Sequence, residues 1–485
     1  MVTADGGRRS STRGRRVRRV LRREPRWARL ARSAGRQERP LRPARIVATA
    51  FALAIAVCTV LLVLPASHAA GQGTSLRVAL FTATSAVCVT GLAVTDTATH
   101  WSPFGQAVIL VGIQVGGIGL MTLASLLGLL VQRRLGLRSR LLAQAENPTV
   151  RLGDARRVVL GVLTLSLGIE AAVTVLLTAR FAVGYGEGFG TALWHGGFTA
   201  VSAFNNAGFA LQPGGLVGFV GDGWVCLPVC AAIVLGALGF PVLVELAASR
   251  RRWRPGGGAS RRWSLHTKLT LTVSGILLLA GTALVTTFEW RNPGTLGPLA
   301  WPDKLLAGLF QGVQPRTAGF NTVDYGAMRP ETWLVTDVLM FIGGGSASTA
   351  GGIKVTTFAV LVLAMAAEAR GGTDVQAFRR RIPDQVVRVS VGVALLATAW
   401  VGAGTLVLME LTGLPLDRAV FEAVSAFATV GLSTGVTGTL PASADAVLVV
   451  LMFVGRVGTV TAASALLLRD SRQRYAFPEE RPIVG

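Results

Sequence analysis

Four stretches of this chain end alike, and their recurrence limits its fold more than any other feature. Phe198-Thr-Ala-Val-Ser-Ala-Phe-Asn-Asn-Ala-Gly-Phe209 returns as Phe421-Glu-Ala-Val-Ser-Ala-Phe-Ala-Thr-Val-Gly-Leu432, with seven of twelve positions identical. A weaker copy is Phe81-Thr-Ala-Thr-Ser-Ala-Val-Cys-Val-Thr-Gly-Leu92, and a fourth, one residue shorter, is Phe310-Gln-Gly-Val-Gln-Pro-Arg-Thr-Ala-Gly-Phe320. Their glycines, Gly91, Gly208, Gly319 and Gly431, are separated by 117, 111 and 112 residues. Recurrence at one period means copies of one structural unit. Each copy is a short apolar helical run, then a few residues without helical pattern, then Gly and a large apolar residue.

Such a run is roughly 15 Å long at 1.5 Å per residue. That is half of a hydrocarbon core about 30 Å thick. A half-crossing helix followed by extended backbone survives at membrane depth only where it lines a cavity or is buried in protein. The composition agrees with a membrane setting: of 485 residues 51% are hydrophobic and 15% charged. The net charge of +23 suggests nucleic acid at first sight. Its distribution argues otherwise, because 16 Arg fall in residues 1–45 and most other basic residues lie in short loops between apolar runs. Basic loops stay in the cytoplasm, and no nucleic-acid partner is expected.

Taken in order, the chain divides into a basic arm at 1–45, repeat 1 at 46–131, a linker at 132–157, repeat 2 at 158–248, a linker at 249–268, repeat 3 at 269–367, a linker at 368–388, repeat 4 at 389–470 and a tail at 471–485. The first apolar run, Ile46–Leu64, is followed by a cleavage-like Pro65-Ala-Ser-His-Ala-Ala70, but the long basic arm and the run's length favour a membrane span. Each repeat reads as span, half-helix, span. Spans are expected at about 46–65 and 104–131, 158–183 and 223–248, 269–288 and from Trp333, and 389–411 and 445–468. The fold class is therefore an all-α polytopic membrane protein: eight transmembrane helices and four re-entrant pore loops around one pseudo-fourfold axis. Arginines in the linkers, among them Arg133, Arg138, Arg251, Arg379 and Arg381, put the linkers and both termini in the cytoplasm.

Four such loops around one axis make a ring of carbonyls, the device by which potassium-channel filters replace a cation's hydration shell. Glycine reaches positive φ and lets neighbouring carbonyls point one way. The candidate ligands are the backbone carbonyls of Val89, Thr90 and Gly91; Asn206, Ala207 and Gly208; Thr317, Ala318 and Gly319; and Thr429, Val430 and Gly431. The competing reading is four tight turns, which would not need one recurring spacing.

A second distinctive stretch, Gly343-Gly-Gly-Ser-Ala-Ser-Thr-Ala-Gly-Gly352, breaks the second span of repeat 3. Five glycines in ten residues do not hold a helix cheaply. Gly343, Gly344, Gly345, Ser346, Ser348, Thr349, Gly351 and Gly352, with Lys354 and Arg456, are read as a gate below the filter. The alternative for the glycines is a helix-packing surface. For Arg456 it is an ion pair with an acid such as Asp337. Lys354 reads as a snorkelling charge, Arg316 as a brace beside the filter, and Glu422 as a brace or an attractor of external cations. Glu170, Asp337 and Glu410 receive no role. Cys58, Cys88, Cys226 and Cys230 read as core residues, because no His or second Cys pair accompanies Cys226 and Cys230.

Val-Thr-Gly-Leu at 89–92, Asn-Asn-Ala-Gly-Phe at 205–209, Arg-Thr-Ala-Gly-Phe-Asn-Thr at 316–322 and Thr-Val-Gly-Leu at 429–432 together resemble the Trk/Ktr/HKT superfamily of cation transporters, most closely its KtrB-type potassium-uptake subunits. The resemblance covers about residues 46–470. TrkH-type members typically have two further spans before the first repeat, which favours the Ktr-type reading. The resemblance implies potassium uptake across the plasma membrane, K+ as the transported ion, Na+ as an activator and no organic cofactor. Gly rather than Ser at 91 favours potassium within this family. It implies a gating role for the 343–352 loop, with Arg456 as a charge barrier beside it. It further implies a homodimer in membrane lipid and a cytosolic nucleotide-binding regulatory ring of the KtrA type. A sodium- or proton-coupled symporter, or a sodium-permeable relative, is the alternative on the same fold. The chain shows no HExxH, Walker A or G-x-S-x-G motif and its four His are scattered at 68, 100, 195 and 266, so an enzyme is not expected.

Overall fold

The computed structural model describes residues 43–71, 73–134, 155–250, 263–372 and 374–458. The basic arm up to residue 42, the middle of the first two linkers, the last part of repeat 4 and the C-terminal tail lie outside the described residues. What is described is almost wholly helical. In chain order come α1 (Pro43–Val63), α2 (Leu76–Val87), α3 (Pro103–Arg134), α4 (Ala155–Gly184), α5 (Phe189–Asn205), α6 (Gly223–Leu238), α7 (Phe240–Arg250), α8 (Leu265–Glu289), α9 (Trp301–Val313), α10 (Pro330–Phe341) and α11 (Val355–Ala369). A two-strand hairpin follows, β1 (Gln376–Ala377) with β2 (Arg380–Arg381), and then α12 (Asp384–Thr412), α13 (Leu416–Phe427) and α14 (Ala442–Phe453).

Local chemistry explains several helix ends. Ser75, Asp222 and Ser264 cap α2, α6 and α8 by accepting from the amides of Val78, Trp224 and Thr267. Proline opens α9 and α10, where its missing N–H costs nothing. Left-handed Gly413 ends α12.

Among the described residues five helices are long and apolar enough to cross a membrane, or six if one bent pair counts as a single span. That pair, Gly223–Leu238 with Phe240–Ser249, turns through 104°. The stretch 223–248 is thus not the straight span its composition suggests. Glycine at the bend makes it possible, since Gly239 has φ +89°. The second span of repeat 3 is also interrupted, as expected, between α10 and α11.

The four short helices α2, α5, α9 and α13 are 12, 17, 13 and 12 residues long. They form the interior. Phe81, Phe198, Phe204, Phe310, Phe421 and Phe427 on them are fully buried. One apolar cluster joins Phe81 and Val87 to Phe427, Leu448 and Met452, a second joins Phe204 to Phe310 and Ala318, and a third joins Met340 to Phe421 and Val430. The long helices turn Leu53, Val57, Val175, Leu279 and Leu395 outward. Apolar side chains exposed along the long helices, around an interior that is itself packed, suit lipid surroundings.

Candidate functional site

Each short helix delivers its glycine to one ring. A methyl group built on Gly91 would fall 2.4 Å from the carbonyl oxygen of Ala207, one on Gly208 2.8 Å from that of Ala318, one on Gly319 2.4 Å from that of Val430, and one on Gly431 2.1 Å from that of Thr90. Every glycine therefore faces the carbonyl that precedes the next glycine, and the fourth closes onto the first. Their φ values are +94°, +73°, +74° and +92°. Two residues before each glycine the backbone is left-handed again, at Val89, Asn206, Thr317 and Thr429 with φ of 56°, 60°, 69° and 50°. Thr90, Ala207, Ala318 and Val430 between them keep negative φ. Left-handed Val and Thr are costly, and such strain persists where surrounding structure holds it at functional sites.

The holding is done from the helix ends. Ser85 O accepts from Thr90 N at 2.7 Å, and Ser85 Oγ from Gly91 N at 3.0 Å. Ser425 repeats this with Val430 N at 2.8 Å and Gly431 N at 3.2 Å. Ser202 O accepts from Ala207 N at 2.7 Å. In the shortened third copy Gln314 substitutes, its backbone oxygen taking Ala318 N and its side-chain oxygen taking Phe320 N, both at 3.0 Å. These braces were not singled out in the sequence, although the serine stands at an identical position in three copies.

Buried carboxylates tie the surroundings together. Glu422 accepts from Ser433 Oγ at 2.6 Å, Thr437 Oγ1 at 2.8 Å, Thr434 N at 3.0 Å and Thr434 Oγ1 at 3.3 Å. It therefore braces the segment leaving the fourth loop, and an attractor of external cations would not be spent on internal donors. Glu170 accepts from Gln114 Nε2 at 2.8 Å and Asn205 Nδ2 at 3.0 Å, joining α3, α4 and the end of α5. Glu410 is exposed on α12. Asp337 Oδ1 is buried without a hydrogen bond. Glu422→Ala would strand several buried donors and is expected to cost about 3 kcal/mol. Thermal unfolding of the purified protein in detergent checks this, with Glu422→Gln losing less.

The glycine-rich interruption folds back beneath the ring. Its ends are pinned by Gly343 N to Ile353 O at 2.9 Å, Ile353 N to Phe341 O at 3.1 Å and Val355 N to Gly344 O at 3.0 Å. Ser348 Oγ donates to Gly345 O at 2.6 Å, and Ser346 Oγ lies 3.1 Å from Thr356 Oγ1. A methyl on Gly351 would lie 2.2 Å from both Ala428 O and Thr429 Oγ1, so the loop abuts the fourth filter stretch directly. Three cationic side chains hold its carbonyls. Arg316 Nη1 donates to Ile342 O at 3.4 Å and Gly343 O at 3.3 Å. Half-buried Lys354 donates from Nζ to Ala350 O at 2.6 Å, turning back onto its own loop where snorkelling was expected. Buried Arg456, in a π-helical turn Val454–Gly458 after α14, donates to Thr349 O and, at 3.5 Å, to Gly116 O. Its bonds go to carbonyls and not to Asp337. The residues read from the sequence as a gate thus lie together, and the four glycines read as a filter form one ring.

Among the described residues no group of three or more His, Cys, Asp or Glu could hold a metal ion. Cys58, Cys88, Cys226 and Cys230 are buried and unbridged.

The TrkH family, described as cation transport protein, matches residues 28–471. The Ktr system potassium uptake protein B of Bacillus subtilis is 41% identical over 445 residues, covering 91% of this chain and 97% of that protein. A protein of the same name from Vibrio alginolyticus is 37% identical over 443 residues, covering 91% and 94%. The potassium/sodium uptake protein NtpJ of Enterococcus hirae is 33% identical, covering 93% and 99%. The crystal structure of the potassium transporter TrkH from Vibrio parahaemolyticus shares the fold, with a TM-score of 0.63 at 20% identity over 85% of this chain and 84% of that one. Matched over most of its length by the family and by relatives of this identity, the chain belongs to the TrkH family of cation transport proteins.

Proposed function

We propose that this chain is the membrane subunit of a potassium uptake system. K+ passes down its electrochemical gradient through a pore whose filter is the ring at Gly91, Gly208, Gly319 and Gly431. The observation that carries the reading is the closure of that ring, each glycine set against the carbonyl before the next. The carbonyls of Val89, Thr90, Asn206, Ala207, Thr317, Ala318, Thr429 and Val430 and of the glycines serve as K+ ligands. The driving force is about 2.3 kcal/mol per charge for each 100 mV of membrane potential. The architecture is eight spans and four re-entrant loops in the plasma membrane, with both termini cytoplasmic. The bent helix at 223–248 and the interrupted one at 330–369 each count as one span. The 343–352 loop, held by Arg316, Lys354 and Arg456, is the gate. The names of the relatives support potassium as the cargo and a system of more than one component; to these we add a homodimer, a cytosolic regulatory subunit of the KtrA type and Na+ as an activator. The relative named for both potassium and sodium keeps sodium permeation as the alternative.

Flux of K+ and Na+ into liposomes under a set membrane potential tests this, with Gly91→Ser and a shortened 343–352 loop alongside. The wild type is expected to pass K+ in preference to Na+. Gly91→Ser, whose Cβ would press on Ala207 O, is expected to relax that preference. Loop shortening is expected to raise flux. Flux that persists against the electrochemical gradient only when Na+ or protons move with K+ would establish the coupled alternative. No cation flux from the loop-shortened protein would overturn the function while leaving the fold.

A further inference from the structure

The loop below the ring is seated mainly on the second repeat, and one filter side chain takes part in the seating. The bend at Gly239 exposes the carbonyls that end α6, groups a helix C-terminus leaves without internal partners. The loop supplies the donors: Gly345 N to Ala237 O at 2.7 Å and Thr349 N to Gly236 O at 3.3 Å. In return Phe240 N, opening α7, donates to Ala347 O at 3.1 Å. A methyl on Gly239 would fall 2.6 Å from Ser346 O, so the bend and the loop fit as socket and plug.

Asn206 stands above this socket, left-handed and fully buried at the end of α5. Its Nδ2 donates to Arg316 O at 2.9 Å, the carbonyl that enters the third filter stretch. Its Oδ1 accepts from Thr349 Oγ1 at 3.1 Å, and the same hydroxyl lies 3.3 Å from Phe204 O. The orientation of the amide is dictated by chemistry, because Arg316 O can only accept. One side chain therefore has its donor on the filter and its acceptor on the loop. A second tie runs in parallel, Gly351 N to Thr317 Oγ1 at 3.3 Å.

We propose that the Asn206 side chain is a positioning residue that couples the seat of the 343–352 loop to the geometry of the filter. While the loop is seated, Thr349 fixes the amide and the amide fixes the Arg316 carbonyl. When the loop leaves, Oδ1 loses its buried donor, the amide is free to turn, and the entry to the third filter stretch relaxes with it. Selectivity then depends on the state of the gate. This rests on the reading of the chain as a gated cation pore.

The test compares Thr349→Val, which removes the hydroxyl and keeps the shape, with Thr349→Ser, which keeps the hydroxyl, in the full chain in liposomes. Loop-shortened protein runs in parallel. Loss of one buried hydrogen bond predicts about a fivefold rise in K+ flux for Thr349→Val, with a fall in the K+-to-Na+ ratio; Thr349→Ser restores both. A simple packing defect would not be rescued by serine, which is the smaller side chain. Raised flux at an unchanged ratio would overturn the coupling while leaving the gate. Unchanged flux in Thr349→Val beside raised flux in the loop-shortened protein would overturn the latch. Loss of selective flux in every form, wild type included, would fail the pore reading itself. If Thr349→Val does not assemble, Asn206→Gly is measured. Glycine holds the left-handed backbone without strain and removes both the donor to Arg316 O and the acceptor for Thr349. An unchanged ratio there would overturn the proposal.

Discussion

Gly431→Ala is expected to lower K+ flux at least roughly 100-fold and to erase the preference for K+ over Na+. Two effects add. Gly431 sits at φ +92°, where an alanine is strained. A methyl there would also lie 2.1 Å from Thr90 O and 3.0 Å from the Gly91 α-carbon. The contact is backbone on backbone, so no side chain can swing aside to relieve it. The Thr90 carbonyl must move, and it is one of those proposed to replace the ion's hydration shell. Forcing an extra methyl into a packed site costs about 1–3 kcal/mol, and about 1.4 kcal/mol is a factor of ten. The upper part of that range is the relevant one, because the neighbours are held by Ser85 and Ser425 and cannot yield cheaply. Gly435→Ala is the control. Gly435 has nearly the same φ, +88°, with nothing within 4 Å of an added methyl. Both variants suffer the backbone penalty and only one crowds the ring. Liposome flux should therefore collapse for Gly431→Ala and stay close to wild type for Gly435→Ala. Equal losses would mean that backbone strain, and not the ring, sets the flux.

The ring was legible because its requirement is local and is stated four times. A short helix and a glycine can be read within twelve residues, and recurrence separates them from ordinary turns; the left-handed step at Val89, Thr317 and Thr429 could not be read, because Val and Thr avoid that region. The glycine-rich interruption was legible for a similar reason, since a helix cannot tolerate that composition. The bend at Gly239 was not. Residues 223–248 carry Pro228, Gly236, Gly239 and Pro241 in a run otherwise apolar but for Glu245, and because Pro228 lies inside α6 without ending it, no single glycine or proline in the run marks the break. What stabilises the bend comes from more than 100 residues away, as the loop amides at Gly345 and Thr349 reach the carbonyls of Ala237 and Gly236. No window along the sequence contains both partners. The braces at Ser85 and Ser425 are a different case. Their signal was present, but a small polar residue in an apolar helix is easily taken for packing. Gly116, Gly236 and Gly455 belong with them: a methyl on each would lie 1.9, 1.9 and 1.7 Å from the carbonyl four residues before the filter glycine of the same repeat. The close approach of second span to short helix thus also recurs. Glu170 could be assigned no role from sequence, because Gln114 and Asn205, which give it one, sit on helices of two different repeats.

Arg456→Gln should raise K+ flux by up to about 100-fold. The guanidinium is buried and is compensated by the carbonyls of Thr349 and Gly116, with no carboxylate hydrogen-bonded or ion-paired to it among the described residues. Carbonyl dipoles satisfy its N–H groups but leave its net charge standing. At an effective dielectric of about 20, a positive charge raises the energy of a cation roughly 6 Å away by about 3 kcal/mol. That is about two factors of ten in rate. The side chain has a second role, however, as a clasp on the loop through Thr349 O. The two are separable by chemistry. Glutamine keeps an N–H donor for the loop and loses the charge. Lysine keeps the charge and loses the planar fork that spans two carbonyls. If the field is the main barrier, Arg456→Gln opens the pore and Arg456→Lys changes flux by only a few-fold. If the clasp is the main barrier, the order reverses. Salt provides an independent check, because ions screen exposed charges within about 10 Å at 0.1 M but act little on buried ones. The effect of Arg456→Gln should therefore persist at high ionic strength. An effect that vanished there would place the charge in open solvent, contrary to its burial beneath the ring.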